Sequence, residues 1–185
     1  MKRVCVISLV TTLLVSLISM SCGTTPPATA WTKTFGGSDN DVASSVEQTS
    51  DGGYIVAGWT GSYGAGSYDV WLIKTDSSGD MAWNKTFGGP DGDQAASVRQ
   101  TSDGGYIIAG FTASYGAGGQ DAWLIKTDSS GDMAWNKTFG GSGDDGANSV
   151  EQTSDGGYIV AGSSASYGAG GGDVWLIKVA AYSEP

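Results

Sequence analysis

The strongest constraint on the fold of this chain is that it repeats itself. Trp31-Thr32-Lys33-Thr34-Phe35-Gly36-Gly37 returns in close form from Trp83 to Gly89 and from Trp135 to Gly141, each time 52 residues on. Tyr54-Ile55-Val56-Ala57-Gly58 returns at Tyr106 and Tyr158 with the same offset. Self-similarity at such a period means one supersecondary unit, copied and stacked so that each copy covers its neighbour's apolar face. The fold question therefore reduces to what one unit does.

Within a unit the pattern predicts four strands. Ala43–Thr49 ends at Ser50-Asp51-Gly52-Gly53, where Asp and Gly suit a tight hairpin. Tyr54–Thr60 follows, and a Gly-rich connection, Gly61–Ser67, leads to the continuous apolar run Asp69–Lys74, as expected of a strand covered on both faces. A second turn, Thr75–Asp80, precedes Met81–Phe87, in which Trp83, Lys85 and Phe87 share one face. No segment of the unit has helical spacing. Four antiparallel strands at a period near 50 residues match a propeller blade, so the fold class expected is all-β: a β-propeller-like array of three four-stranded antiparallel blades over residues 31–179. The array opens on a lone fourth-strand segment, Trp31–Phe35, and its last copy stops after the third strand, Asp173–Lys178. That phasing predicts an N-terminal strand that closes the last blade or pairs with another chain, hiding edges that would otherwise aggregate. Three blades fall below the usual four to eight, which leaves an open stack, two chains joined as a six-blade ring, or a remnant of a longer array.

Gly53–Gly58, Asp69-Val70-Trp71 and Trp83 together resemble a kelch blade, and Asp76–Trp83 is similar to the tryptophan-docking motif of quinoprotein propellers. The resemblance spans residues 31–179 and implies a propeller of the kind found in bacterial and archaeal surface proteins. It speaks to architecture far more than to activity.

The N-terminus points out of the cytosol. Lys2 and Arg3 precede an apolar run from Val4 to Met20, the form of a secretory signal over residues 1–21. Ile18–Gly23 resembles the lipobox of bacterial and archaeal lipoproteins, which would make Cys22 the lipidated residue, residues 22–30 a polar tether and residues 180–185 a C-terminal tail. Cleavage after Ala28-Thr29-Ala30 is the rival reading. The expected location is extracytoplasmic, lipid-anchored to the cell envelope or secreted, with the membrane met only through the lipid.

Composition removes whole classes of chemistry. The chain has no His, and its two Cys, Cys5 and Cys22, both fall in the leader region, so the repeats cannot form the usual zinc, haem or iron–sulfur ligand sets or a His-based nucleophilic triad. Nine cationic residues against 19 anionic ones, a net charge of −10, argue against nucleic acid as a partner. Glycine is abundant, at 31 residues, while 7 Trp, 8 Tyr and 4 Phe supply a core.

Three groups of candidates remain. The repeated Tyr-Gly-Ala-Gly loops place Tyr63, Tyr115 and Tyr167 where they would stack on a sugar or a partner surface, or alternatively fold over their own blade and fill the space left by the glycines. Asp39, Asp41, Asp91, Asp93, Asp144 and Asp145 recur after the Gly pairs and are the candidates for Ca²⁺, although Asp is also a turn residue that binds its own backbone. Asp69, Asp121 and Asp173 are expected to cap backbone amides. Glu47, Arg99 and Glu151 occupy one position in the three copies; a carboxylate pair would suit a glycosidase, whereas the Arg between them predicts an ion pair. Lys74–Gly89 and Lys126–Gly141 are identical, so shared residues reflect common descent before they reflect function.

The function expected is non-catalytic: an exported cell-surface binding or scaffolding protein whose partner is a carbohydrate or protein ligand, and which forms a homodimer if two chains share one ring. No cofactor is expected other than Ca²⁺. The alternative is a propeller enzyme, a quinoprotein-type dehydrogenase or a glycoside hydrolase relative.

Overall fold

A computed structural model describes residues 27–181. The leader at 1–21, Cys22 and most of the tether, together with residues 182–185 of the tail, lie outside the described residues. Eleven strands and no helix make up the described chain: β1 (Asp41–Gln48), β2 (Tyr54–Thr60), β3 (Asp69–Thr75), β4 (Met81–Phe87), β5 (Asp93–Gln100), β6 (Tyr106–Thr112), β7 (Asp121–Thr127), β8 (Met133–Phe139), β9 (Asp145–Gln152), β10 (Tyr158–Ser164) and β11 (Asp173–Val179). They form three antiparallel meanders, β1-β2-β3-β4, β5-β6-β7-β8 and β9-β10-β11, here sheets 1, 2 and 3.

Register repeats with the sequence. Val56 faces Ile73 in sheet 1, Ile108 faces Ile125 in sheet 2 and Val160 faces Ile177 in sheet 3. The first strand of each sheet carries a bulge against the glycine of the second. Gly58, Gly110 and Gly162 are required there, because a Cβ would collide with the backbone carbonyl of Val42, Gln94 or Gly146.

The sheets stack in series. β5 touches β1, β2 and β3, and β9 touches β5, β6 and β7, so each sheet lays its first strand across the face of the one before. Alternation along the strands divides the core accordingly. Ile55, Ala57, Val70 and Leu72 of sheet 1 meet Ala95, Val98, Tyr106, Ile108, Trp123 and Ile125 of sheet 2. The opposite face of sheet 2, with Ile107, Ala109, Ala122 and Leu124, meets Ala147, Val150, Tyr158 and Val160 of sheet 3. This explains the unbroken apolar run of β7, every residue of which is buried between sheets 1 and 3; every residue of β3 is buried as well, with sheet 2 on one face.

The fourth strand expected to complete the third sheet is absent from it. Trp31–Phe35 has no strand structure and pairs with no edge; sheet 3 has three strands. The segment instead lies against sheet 1, where Trp31 packs edge-on to Tyr54 at 5.8 Å and Lys33 binds Asp80 at 2.7 Å. Those contacts are the ones that β4 makes with sheet 2 (Trp83 on Tyr106 at 5.9 Å, Lys85 to Asp132 at 2.7 Å). The side chains of a preceding fourth strand are thus in place without the third strand that would hydrogen-bond it. The chain does not close on itself because β11 and this segment lie at opposite ends of a three-sheet series.

Candidate functional site

The connection between second and third strands begins in the same way three times. After β2 the chain turns through Gly64 at φ 109°, a left-handed conformation that L side chains avoid, and Gly116 and Gly168 repeat it at 117° and 114°. The turn is gathered by a carboxylate. Asp69 Oδ2 accepts the amides of Ala65 at 2.8 Å and Gly66 at 3.1 Å, Asp121 does the same for Ala117 and Gly118, and Asp173 accepts the amide of Ala169 at 2.8 Å. These three aspartates cap backbone amides, as their position at the strand entrance predicts.

A second carboxylate fastens the loop to the linker that enters the sheet. Asp41 accepts the Gly37 amide at 2.9 Å, the Ser62 hydroxyl at 2.8 Å and the Thr60 hydroxyl. Asp93 takes the Gly89 amide and Ser114 hydroxyl, and Asp145 the Gly141 amide and Ser166 hydroxyl. Burial pushes the Asp41 and Asp145 carboxyls up, but these donors outweigh it and hold both below the ordinary carboxylate value. Asp93 is fully buried, with Oδ1 unpartnered. Of the other Ca²⁺ candidates, the Asp39 and Asp91 amides donate to Ser62 and Ser114, and the Asp144 carboxylate accepts the Gln120 amide at 3.0 Å. The structure therefore distributes these aspartates among backbone ties, and among the described residues no three acidic, Cys or His side chains converge as a metal-ligand set.

The tyrosines sit on this frame. Tyr63, Tyr115 and Tyr167 each pack the ring at a tilt of 46 to 49° against the tryptophan of their own third strand, Trp71, Trp123 and Trp175, with centroids 5.5, 5.6 and 5.5 Å apart. Each hydroxyl donates to a linker carbonyl: Gly36 at 3.1 Å, Gly88 at 2.9 Å and Gly140 at 2.9 Å. They are nonetheless 48, 47 and 53% exposed. One edge of each ring is locked and the rest faces water. Tyr115 and Trp123 form the wall of an open cleft of about 520 Å³, completed by Phe87 from the preceding sheet and by Asn136 and Thr138. The Asn136 carbonyl already accepts the Trp123 indole N–H at 3.2 Å.

Glu47, Arg99 and Glu151 come out as the ion-pair reading predicts. Arg99 Nε lies 2.9 Å from Glu151, while Glu47 accepts the Gln100 amide at 2.6 Å. A set of contacts not anticipated from sequence involves the lysines of the third strands. Lys74, Lys126 and Lys178 each reach the aspartate of the first hairpin turn in their own sheet, Asp51, Asp103 and Asp155, at 2.8 to 2.9 Å. Burial pushes Asp103 up, but hydrogen bonds from Lys126, Thr101 and the Gly105 amide bring it down to about 2. Lys74, followed by Thr49 and the Gly53 amide, holds Asp51 below its ordinary value too. The signal was available: a lone Lys inside an apolar strand needs a partner, and a turn Asp recurring at the same offset supplies one.

Fold and site together define a class, an all-β protein of tandem antiparallel sheets, each with a loop whose tyrosine is tied to the sheet. No family model matches the chain, and no curated protein matches it.

Proposed function

We propose that this chain is a β-propeller module of the bacterial and archaeal surface type, exported and held at or beyond the cell envelope, whose role is to bind a carbohydrate or protein ligand rather than to catalyse a reaction. The architecture is supported by the series contact of β1, β5 and β9, which fits innermost strands gathered about a common axis. Export and lipidation at Cys22 rest on the leader sequence.

The observation that carries the binding role is the repeated tyrosine. A side chain that is half exposed yet held by a tilted aromatic contact and by a hydroxyl tie offers contact area with little entropy left to lose on binding. Beside Tyr115, an aromatic wall next to an amide and a hydroxyl suits a ligand with apolar faces and hydroxyl edges, as sugars have. The tyrosine, its tryptophan and its hydroxyl tie recur three times, although sheet 3 lacks the fourth strand that in sheet 2 supplies Asn136 and Thr138, so weak single contacts would add through multivalency. The test is a glycan array and a surface-extract pull-down with the wild type and with Tyr63→Ala, Tyr115→Ala and Tyr167→Ala combined, after circular dichroism shows the variant folded. Binding is expected in the wild type and lost in the variant. A signal that survives the triple substitution removes the site, and quinone-dependent alcohol oxidation by the wild type would overturn the non-catalytic role.

A further inference from the structure

Among the described residues two sheet faces are uncovered, and the repeat itself shows what fits them. Sheet 1 leaves open the face that carries Val46, 62% exposed. The counterparts of Val46, Val98 and Val150, are fully buried against the preceding sheet. At the other end, β11 exposes Val174 at 94% and Leu176 at 67%, whereas Val70, Leu72, Ala122 and Leu124 in the same positions are at most 1% exposed. The free face of sheet 3 is thus one half of an interface that the chain makes twice internally, and the free face of sheet 1 is the other half.

We infer that the occupant of both faces is a second copy of this chain, packed so that sheet 3 of each copy receives sheet 1 of the other and two chains close a six-sheet ring. The inference rests on the propeller reading. Within it, six is the only multiple of three between four and eight, the range in which such rings close, and two heterologous contacts related by a twofold axis close without leaving an end.

The backbone partners are present as well. β3 pairs with β4 so that Val70 faces Phe87, Leu72 faces Lys85 and Lys74 faces Trp83. The same register on β11 sets Val174 opposite Phe35, Leu176 opposite Lys33 and Lys178 opposite Trp31 of the second copy. Trp31–Phe35 already has its side chains seated on sheet 1 and lacks only this hydrogen-bonded neighbour. One residue differs: Thr32 stands where Asn84 and Asn136 accept an indole N–H, and its hydroxyl can accept that of Trp175. Polar ties follow suit. Ser45 and Ser97 accept the amides of Val98 and Val150 across the two internal interfaces. Ser149, exposed on sheet 3, is the next member of that series, for the Val46 amide of the second copy.

Native mass spectrometry with sedimentation of the full chain at micromolar concentration tests this, using Val46→Asp and Val174→Asp. Both positions are mostly solvent-exposed in the single chain, so neither substitution disturbs its folding. The wild type is expected at the two-chain mass and each variant at the one-chain mass. An equimolar mixture of the variants is expected to regain the two-chain mass, because one of its two interfaces is wholly wild type. A like-to-like contact through β11 would leave Val46→Asp dimeric, and that result, or a wild type with the one-chain mass, overturns the inference. Small-angle scattering of a one-chain species separates the two failures. A profile of sheets gathered about an axis discards only the second copy, whereas a straight ladder discards the propeller as well.

Discussion

Sheets 2 and 3 are built from nearly the same sequence, yet they hold it in different environments. Asp121–Thr127 is buried at every residue, while Asp173–Val179 alternates between half-buried and exposed. Leu124 is inaccessible and Leu176 is 67% exposed, although both sit in a D-x-W-L-I-K strand with the same register to its neighbour. The difference lies in what comes next: sheet 2 has a neighbour on each side and a fourth strand on its edge, and sheet 3 has neither. Hydrophobic sequence is therefore no measure of hydrophobic stabilisation; only covered area counts.

The largest expected effect is at that leucine. Leu124→Ala should destabilise the chain by about 2–5 kcal/mol, the cost of deleting a buried leucine, while Leu176→Ala should stay within about 0.5 kcal/mol at dilute concentration, both read from urea melts. If the two values coincide, the comparison between the sheets fails. If the gap narrows as protein concentration rises, covering of β11 by a second copy is the cause.

Next comes the buried lysine. Lys126 is 7% exposed in its side chain and Lys178 46%, so water screens the second pair more strongly. Lys126→Met is expected to cost about 1 kcal/mol at neutral pH and Lys178→Met less, as differences in Tm. The effect of Lys126→Met should depend on acid. Asp103 is held at about 2 against 3.8 in the free side chain, a lowered value, so its stabilising contribution is complete above the free value and is lost as pH falls toward 2. The Tm difference between wild type and Lys126→Met should shrink over that window; a difference independent of pH would show that Asp103 is not the partner that matters.

The smallest effect tests where the two sheets should agree. Tyr115 and Tyr167 have the same tilted aromatic contact, the same hydroxyl tie and nearly the same exposure. Tyr115→Phe and Tyr167→Phe should each cost about 0.5 kcal/mol, the low end of what one hydrogen bond contributes, because both residues are half exposed, with no systematic difference between them. Unequal costs would mean that the loops sense the neighbouring sheet after all.

Much of this was legible in the chain itself. The 52-residue offset gave four strands for the first two units, the turn residues marked the hairpins, and the apolar run of the third strand matched full burial in β3 and β7 but not in β11. The amide-capping role of Asp69, Asp121 and Asp173 followed from their place at a strand entrance after a Gly-rich loop. The placement of Tyr115 was legible only as two alternatives, because its contact with Trp123 and its remaining exposure beside Phe87 of another sheet depend on the folded loop. The partners of Asp41, Asp93 and Asp145 could not be read, because Ser62, Ser114 and Ser166 stand 21 residues away and meet them only once the loop has folded back.

Sequence by itself determined the local pieces: strands, hairpins and their repetition, all set by side-chain alternation and turn chemistry over a few residues. Tertiary structure alone decided which copies of an identical strand are core and which are surface, and where Trp31–Phe35 lies. Burial is a property of neighbours, and a repeat cannot record in its own residues whether another stands beside it.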